Sequence, residues 1–297
     1  MQIPGRRPFY KYMTPEAAIA TLENRSVRYS SPLRFNDPFD HQTCLHLDFD
    51  LGGFSHKLLG RIEHLVRSPQ IEIRRDAGPI HQLISFMRAK LPTHGFPGES
   101  FSREALPILA EGSLMIDQTR RMFESHWQES LKSNRAFCVT EEHTNLLMWA
   151  HYAKDHTGAV LELWSLPEED NTLSVAHPVR YVEAPPPFFT EDEFLDYFCG
   201  VAEIDLPSLT RQSIYTKSDH WSYEKEWRVY YPLSEIPGLF EDVNLRPSEL
   251  KSVYFGCRAD PSFVTRASDL LTSHYPLANK FSSQRRAAAF ELSFSEI

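Results

Sequence analysis

Hydrophobic and polar positions alternate with the period of β-strands in two separated parts of the chain. Near the start, 9–13 and 27–30 have this alternation, and Thr14 followed by Pro15 is typical of a helix start between them. From Arg135 onwards the strand pattern returns at 136–139, 159–164, 179–182, 226–231, 253–255 and 290–294. Helical patterns interrupt these later strands at about 141–155, 191–199 and 207–215. Since helices and strands do not alternate regularly, we predict an α+β fold with a mixed, mainly antiparallel β-sheet core.

A different pattern fills the chain from about residue 55 to residue 132. Apolar residues recur there at helical spacing, as in Leu58, Ile62 and Leu65. The segment 91–98 is rich in proline and glycine, which punctuates this region without ending the domain. We therefore predict a single α+β domain over 1–297 with a helical insertion at about 55–132.

Composition narrows the class of protein. The chain has 297 residues, 41% hydrophobic and 24% charged, which is ample material for a core. The four cysteines lie far apart without C-x-x-C spacing, so we expect reduced thiols in a cytoplasmic protein. We expect no membrane segment, because no stretch approaches the roughly twenty apolar residues that one needs. A net charge of -9 offers nucleic acid no general attraction, although Arg28, Arg34 and Lys217 could line a local basic groove.

The first candidate site cluster lies on the predicted helix that follows Thr140. It combines the aromatic residues Trp149 and Tyr152 with His151, and His156 follows just beyond. One interpretation makes the aromatic rings core and the histidines hydrogen-bonded structural residues. The other makes them a cleft wall with stacking rings and a proton-transferring imidazole, for which His151 is the preferred residue.

The second cluster runs from Lys217 to Arg228. Strand alternation places Glu224, Glu226 and Arg228 on one face. In open water such a Glu-Arg pair would contribute at most about 1 kcal/mol. In a pocket, Arg228 would position Glu226 as a base or as a stabiliser of a cation.

The turn-rich segment 31–40 adds polar residues next to the aromatic residue Phe35. Asn36, Asp37 and Asp40 are typical of side-chain to backbone turn bonds. Alternatively, Asp37 and Asp40 could bind a divalent metal with His41 and either His151 or Glu226, since hard cations select oxygen ligands. The signatures G-x-S-x-G, the phosphate-binding P-loop and H-E-x-x-H are all absent from the sequence.

Several of these segments together resemble a bacterial family known as domain of unknown function 2971. The matching segments are Tyr10 to Tyr12, Ser31 to Asp40, Phe137 to Gly158, Lys217 to Arg228 and Val253 to Gly256. The resemblance covers most of the chain except the helical region. It implies a soluble bacterial protein and supplies no settled activity.

The strand-helix-strand opening and a late acidic strand are also similar to the layout of ADP-ribosyltransferases. That similarity implies that Glu226 is the catalytic glutamate for transfer from NAD, and the predicted catalytic set is Glu226, His151 and Glu224. Those enzymes usually carry an early His or Arg on the first strand, where this chain has Lys11, with Arg28 on the next. The predicted ligand-binding residues are Tyr12, Lys11, Arg28, Asn36, Trp149, Tyr152, Lys217 and Arg228.

Three hypotheses about function follow. The first is an NAD-using enzyme, either ADP-ribosyltransferase-like or NAD-cleaving, that acts as a bacterial toxin or phage-defence effector. It would take NAD as a substrate, hold no tightly bound cofactor, and act on a protein or nucleic-acid target. The second is a metal-dependent phosphodiesterase or nuclease that uses Asp37, Asp40 and Glu226, with Lys217 near the phosphate. The third is a non-enzymatic module that binds a protein partner.

Overall fold

The computed structural model describes residues 5–41, 49, 53–74, 79–203, 205–231 and 237–297. Side chains are described for all of these except 108, 110–120, 123 and 206. The chain divides into two compact units. The first, which we call the sheet unit, comprises Met1–Gln42, Ser130–Pro185 and Ile214–Ile297. The second, the helical unit, comprises Thr43–Glu129 and Pro186–Ser213.

Strands and helices have the following bounds. The strands are β1 (Arg7–Met13), β2 (Ser26–Ser30), β3 (Arg135–Thr140), β4 (Ala159–Ser165), β5 (His177–Pro178), β6 (Arg180–Val182), β7 (Thr216–Ser218), β8 (Glu226–Tyr231), β9 (Phe240–Asn244), β10 (Leu250–Phe255), β11 (Asn279–Arg285) and β12 (Leu292–Glu296). The helices are α1 (Pro15–Asn24), α2 (Phe54–Arg67), α3 (Pro79–His94), α4 (Glu99–Ser133), α5 (Leu146–His151), α6 (Glu191–Cys199), α7 (Leu206–Ile214) and α8 (Pro261–His274). Short 3-10 turns lie at Pro32–Arg34, Pro167–Glu169, Thr172–Val175 and Asp219–Glu224.

The large sheet has the strand order β12-β11-β10-β4-β1-β3-β2-β9. Strand β8 pairs with β3, and β5 pairs with β8. All of these pairings are antiparallel except β10 with β11, which is parallel. The predicted α+β class with a mixed, mainly antiparallel sheet is therefore confirmed. Strands β6 and β7 form a separate parallel pair.

One face of the large sheet carries the main core of the sheet unit. Helices α1 and α8 bury their apolar residues there, including Leu22 and Leu271. The strands contribute every second side chain to this core, such as Phe137 and Val139 from β3 and Val229 from β8. The intervening side chains therefore point to the opposite face, where α5 packs its residue Trp149.

The helical unit has its own core. Helix α2 buries its residues Leu58, Ile62 and Leu65 against α3 and α6, which confirms the helical spacing of these three leucine and isoleucine positions. No helix in the described segments is long and apolar enough to cross a membrane. Cys138, Cys199 and Cys257 are free thiols, as predicted, whereas Cys44 lies outside the described residues.

The prediction of a helix over 141–155 was wrong in its bounds. Helix α5 begins at Leu146, because the Asn145 side chain accepts hydrogen bonds from the backbone N–H groups of Leu147 and Met148. It ends at His151, and Lys154, Asp155 and His156 then adopt left-handed backbone conformations. The chain from Tyr152 to His156 is therefore not helical, and these two residues do not share a helix face.

The predicted bounds of α6 and of the last strand lie closer to the observed ones. Helix α6 has the predicted range 191–199, because Thr190 and Glu193 form a capping box. The last strand lies at Leu292–Glu296, two residues later than predicted. The sequence patterns did not identify β9, β11 or α8.

Candidate functional site

A pocket of about 260 Å³ opens on the sheet face opposite the main core of the sheet unit. It lies where β1, β2 and β3 separate: β1 pairs with β3 only at Tyr10 and Thr140, and β2 pairs with β3 only at Ser30 and Ala136. By contrast, β3 pairs with β8 along its whole length. The strand edges that separate thus leave room for a ligand between them.

Strand alternation explains why this pocket is polar. Val27, Phe137 and Val139 enter the main core, so their neighbours Arg28 and Cys138 face the pocket. Helix α5 contributes Met148, and Tyr152 follows directly after that helix. The segment after β2 contributes Arg34, Phe35, Asn36 and Asp40. The remaining lining residues are Tyr10, Lys11, Tyr12, Ser30, Ala136, Val139, Thr140, Lys217, Glu224 and Glu226.

Five buried charged residues form what we call the carboxylate cluster: Asp40, Lys217, Glu224, Glu226 and Arg228. The Lys217 ammonium lies 2.6 Å from Glu224 Oε2, 3.0 Å from Glu226 Oε2 and 3.7 Å from Asp40 Oδ2. The Arg228 guanidinium donates to both oxygens of Glu226 at 2.6 and 3.2 Å and to both oxygens of Asp40 at 2.6 and 3.0 Å. Its Nη1 also donates to the carbonyl of Ile214.

Glu224 and Glu226 have pKa values shifted in opposite directions. Burial alone would raise the pKa of Glu226, but Arg228 and Lys217 outweigh burial and hold that pKa well below its ordinary value. Burial raises the pKa of Glu224, and the charge of Glu226 raises it further, although Lys217 opposes both effects. Burial would lower the pKa of Lys217, but the carboxylates keep it above its ordinary value. Glu226 is thus held ionised, and Glu224 is the more easily protonated of the pair.

Tyr152 connects this cluster to the more exposed part of the pocket. Its hydroxyl donates to Glu224 Oε1 at 2.5 Å and accepts from the Asn36 side-chain amide at 3.3 Å. Burial and the neighbouring Glu224 raise the pKa of Tyr152, so the hydroxyl stays protonated and remains a donor. Asn36 and Tyr152 therefore position one oxygen of Glu224.

Cationic side chains line another part of the pocket. The Lys11 ammonium donates to the Cys138 carbonyl at 2.6 Å, and neither Lys11 nor Arg34 has an acidic partner among the described residues. Arg28 differs, because it forms a bidentate ion pair with Asp242 at 2.8 and 3.0 Å. The pocket thus combines an acidic cluster with cations that are available to an anionic ligand.

Three of the predicted site residues do not line the pocket. The Trp149 side chain is fully buried and packs against Tyr12 and His156, so it belongs to the core. Arg228 is also fully buried and touches the pocket only through its partners Glu226 and Asp40. His151 is exposed, and its Nδ1 lies 3.0 Å from the Tyr223 hydroxyl.

The other predicted residues line one pocket. Glu224 and Glu226 meet there with the nearby Lys217 and with residues that are far away in the sequence: Lys11, Tyr12, Arg28, Asn36 and Tyr152. Tyr12 contributes mainly its ring, because its hydroxyl accepts from the Asn145 backbone and donates to the Glu142 carbonyl.

Asp37 and Asp40, the alternative metal ligands, are bonded to other groups of the protein. Asp37 accepts the Phe39 backbone N–H at 2.9 Å, which is the turn bond expected of such a residue. Asp40 is bound by Arg228 instead. Across the described side chains, no group of three or more His, Cys, Asp or Glu is arranged to hold a metal ion.

A family model described as "Protein of unknown function (DUF2971)" matches residues 148–229. The match covers less than a third of the chain. The resemblance seen in the sequence is thereby confirmed over the part of the chain that contains Tyr152, Lys217, Glu224, Glu226 and Arg228. No curated protein and no solved structure matches the chain.

The sequence did not identify as site residues several residues that line the pocket and lie outside the segment matched by the family model. Among these, Phe35 lies in the turn-rich segment 31–40, and Cys138 lies in a segment that resembles the family. Arg34 was named in the sequence only as part of a local basic groove. The alternation of Cys138 with the core residues Phe137 and Val139 could have indicated that Cys138 faces the pocket. Asp40 was predicted as a turn residue or a metal ligand, because nothing local indicates that its partner is Arg228.

Proposed function

We propose that this protein takes NAD as a substrate and breaks the bond between nicotinamide and ribose. The observation that carries the proposal is the carboxylate cluster, in which Glu224 and Glu226 share Lys217 beside the pocket. Three carboxylates and two cations leave one negative charge in excess when all are ionised. Charges fixed in a desolvated site stabilise an opposite charge that develops in a transition state. Loss of nicotinamide from NAD leaves a positive charge of this kind on the ribose.

The two glutamates take different roles in this proposal. Carboxylates whose environments push their pKa values apart are suited to different tasks in acid and base catalysis. Glu226, held ionised by Arg228 and Lys217, stabilises the ribosyl cation electrostatically. Glu224, with its raised pKa and its hydrogen bond from Tyr152, accepts a proton from the attacking group.

The reaction balances without another reactant besides the acceptor. The bond from ribose C1′ to the pyridinium nitrogen breaks, and its electron pair leaves with nicotinamide, which becomes neutral. An acceptor oxygen then bonds to C1′, and its proton passes to Glu224. With water the protein is an NAD glycohydrolase, and with a nucleophile on a protein or nucleic acid it is an ADP-ribosyltransferase. Either activity would suit a bacterial toxin or phage-defence effector.

The rest of the pocket supports binding of such a ligand. Tyr152 and Phe35 offer aromatic surface for a planar ring. Lys11 offers a positive charge without an acidic partner among the described residues, which suits an anionic ligand. The combination of ring surface, cations and carboxylates favours a nucleotide that carries a cationic pyridinium ring over a purely anionic ligand.

The test is release of nicotinamide from NAD by the purified protein, followed by chromatography. We expect Glu226→Gln and Glu224→Gln each to reduce the rate at least about a hundredfold, since a fixed charge or a general base contributes on that scale. The matched control is Glu249→Gln. Glu249 is also a buried carboxylate that accepts from an arginine, Arg246, but it does not line the pocket.

Two results would overturn the proposal. One is the absence of nicotinamide release from NAD by the folded protein, whether or not NAD stabilises the protein against heat. The other is cleavage that Glu224→Gln and Glu226→Gln leave at the rate of the Glu249→Gln control, in folded protein. Stabilisation by manganese but not by NAD would instead support the phosphodiesterase hypothesis.

A further inference from the structure

Two arginines of the pocket share one aromatic ring. The guanidinium carbon of Arg28 lies 5.3 Å from the centre of the Phe240 ring, and that of Arg34 lies 5.6 Å from the same centre. Asp242, two residues further along β9, binds Arg28. We call the group of Arg28, Arg34, Phe240 and Asp242 the arginine corner.

Charges in the arginine corner do not cancel. The corner contains two guanidinium groups but one carboxylate, which pairs with Arg28. Arg34 has no acidic partner in the described part of the chain. The Arg28 and Asp242 side chains are 59% and 45% exposed, so their ion pair is open to competition by a dissolved anion. Guanidinium groups match the geometry of phosphate oxygens, with which they form two parallel hydrogen bonds.

We infer that the arginine corner is a phosphate subsite of the pocket and that Asp242 limits the charge of the ligand it accepts. Arg34 binds a phosphate directly. Arg28 contributes only when a phosphate displaces Asp242. The wild-type corner therefore favours a nucleotide with a diphosphate group over one that carries an additional phosphate. The inference rests on the proposed function for the choice of NAD and its product as ligands.

The test is binding of ADP-ribose and of inorganic diphosphate, measured by calorimetry at low ionic strength. These ligands need no turnover. Arg34→Gln should weaken ADP-ribose binding about tenfold, the scale of one charge-assisted hydrogen bond. Asp242→Asn should strengthen it about fivefold, because an exposed ion pair no longer competes. The gain should be larger for the ADP-ribose derivative with a phosphate on the 2′-hydroxyl.

Matched controls separate these effects from net charge. Arg285→Gln removes an exposed cation outside the pocket, and Glu291→Gln breaks the exposed ion pair with Arg286, whose atoms are 2.9 Å apart. The inference is overturned if Arg34→Gln weakens binding no more than Arg285→Gln does. It is also overturned if Asp242→Asn strengthens binding no more than Glu291→Gln does.

The outcomes also separate this inference from the proposed function. Diphosphate binding that depends on Arg34 and Asp242, without release of nicotinamide from NAD, would refute the NAD reaction and retain the subsite. Release of nicotinamide with binding that is insensitive to both variants would retain the reaction and refute the subsite.

Discussion

Replacing Arg228 with methionine tests how strongly the carboxylate cluster is coupled. Arg228 is fully buried, and its guanidinium makes four hydrogen bonds to Asp40 and Glu226 and one to the Ile214 carbonyl. Methionine keeps much of the side-chain length but removes the charge and all five donors. Among the described residues, Asp40 and Glu226 then retain only Lys217 as a cationic neighbour.

The expected cost follows from what remains after the substitution. Removing one partner of a buried ion pair typically costs about 3–5 kcal/mol, because the other charge stays buried without compensation. Here one substitution affects two carboxylates, so we expect the upper part of that range at neutral pH. Arg28→Met provides the matched control, since Arg28 also forms a bidentate pair with an aspartate but is exposed. That change should cost no more than about 1 kcal/mol.

The cost should depend on pH in a defined direction. In the wild type the lowered pKa of Glu226 means that its ion pairs stabilise the fold above the unfolded pKa, and this stabilisation is lost as pH falls through the folded pKa. Without Arg228, burial should raise the pKa of Glu226, so protonation should relieve the variant as pH falls. The difference in free energy of unfolding between wild type and Arg228→Met should therefore shrink on acidification.

Urea denaturation followed by circular dichroism measures this difference at about pH 7 and at about pH 4.5. A loss of less than about 1 kcal/mol at neutral pH, equal to that of Arg28→Met, would refute the view that the cluster is tightly coupled. A loss that stays constant between the two pH values would refute the assignment of the cost to uncompensated carboxylates.

Three further predictions follow from local geometry. Gly256→Ala should destabilise the protein severely, because the new Cβ would lie 2.0 Å from the His156 carbonyl oxygen. A thermal melt of this variant should show little or no folded protein. Gly60→Ala, in open space on α2, should be neutral or stabilising by about 1 kcal/mol. Tyr152→Phe should shift the acid limb of nicotinamide release to higher pH, because its hydrogen bond lowers the pKa of Glu224; an unshifted pH profile would contradict this role. Asn145→Ala should lower the melting temperature by an amount equivalent to about 1 kcal/mol or more, since it removes the cap of α5; an unchanged melting temperature would contradict that.

Local patterns in the sequence determined the class of fold and the face on which charged residues lie. The alternation in β8 predicted that Glu226 and Arg228 share a face, and their side chains do bond to each other. Thr14 with Pro15 begins α1, and Thr190 begins α6, because a cap is a property of a few adjacent residues. These features depend on neighbours in the chain and can therefore be predicted from it.

Only the tertiary structure decided which residues meet at the pocket and how they are bonded. Asp40 pairs with Arg228, and Asn36 meets Tyr152, through contacts between elements that are distant in sequence. The start of α5 likewise depends on tertiary contacts, since the Asn145 backbone donates to the hydroxyl of Tyr12 on β1. No local pattern encodes such contacts, because they depend on how the strands pair. Burial in the tertiary structure likewise decided that the aromatic residue Trp149 belongs to the core and does not line the pocket.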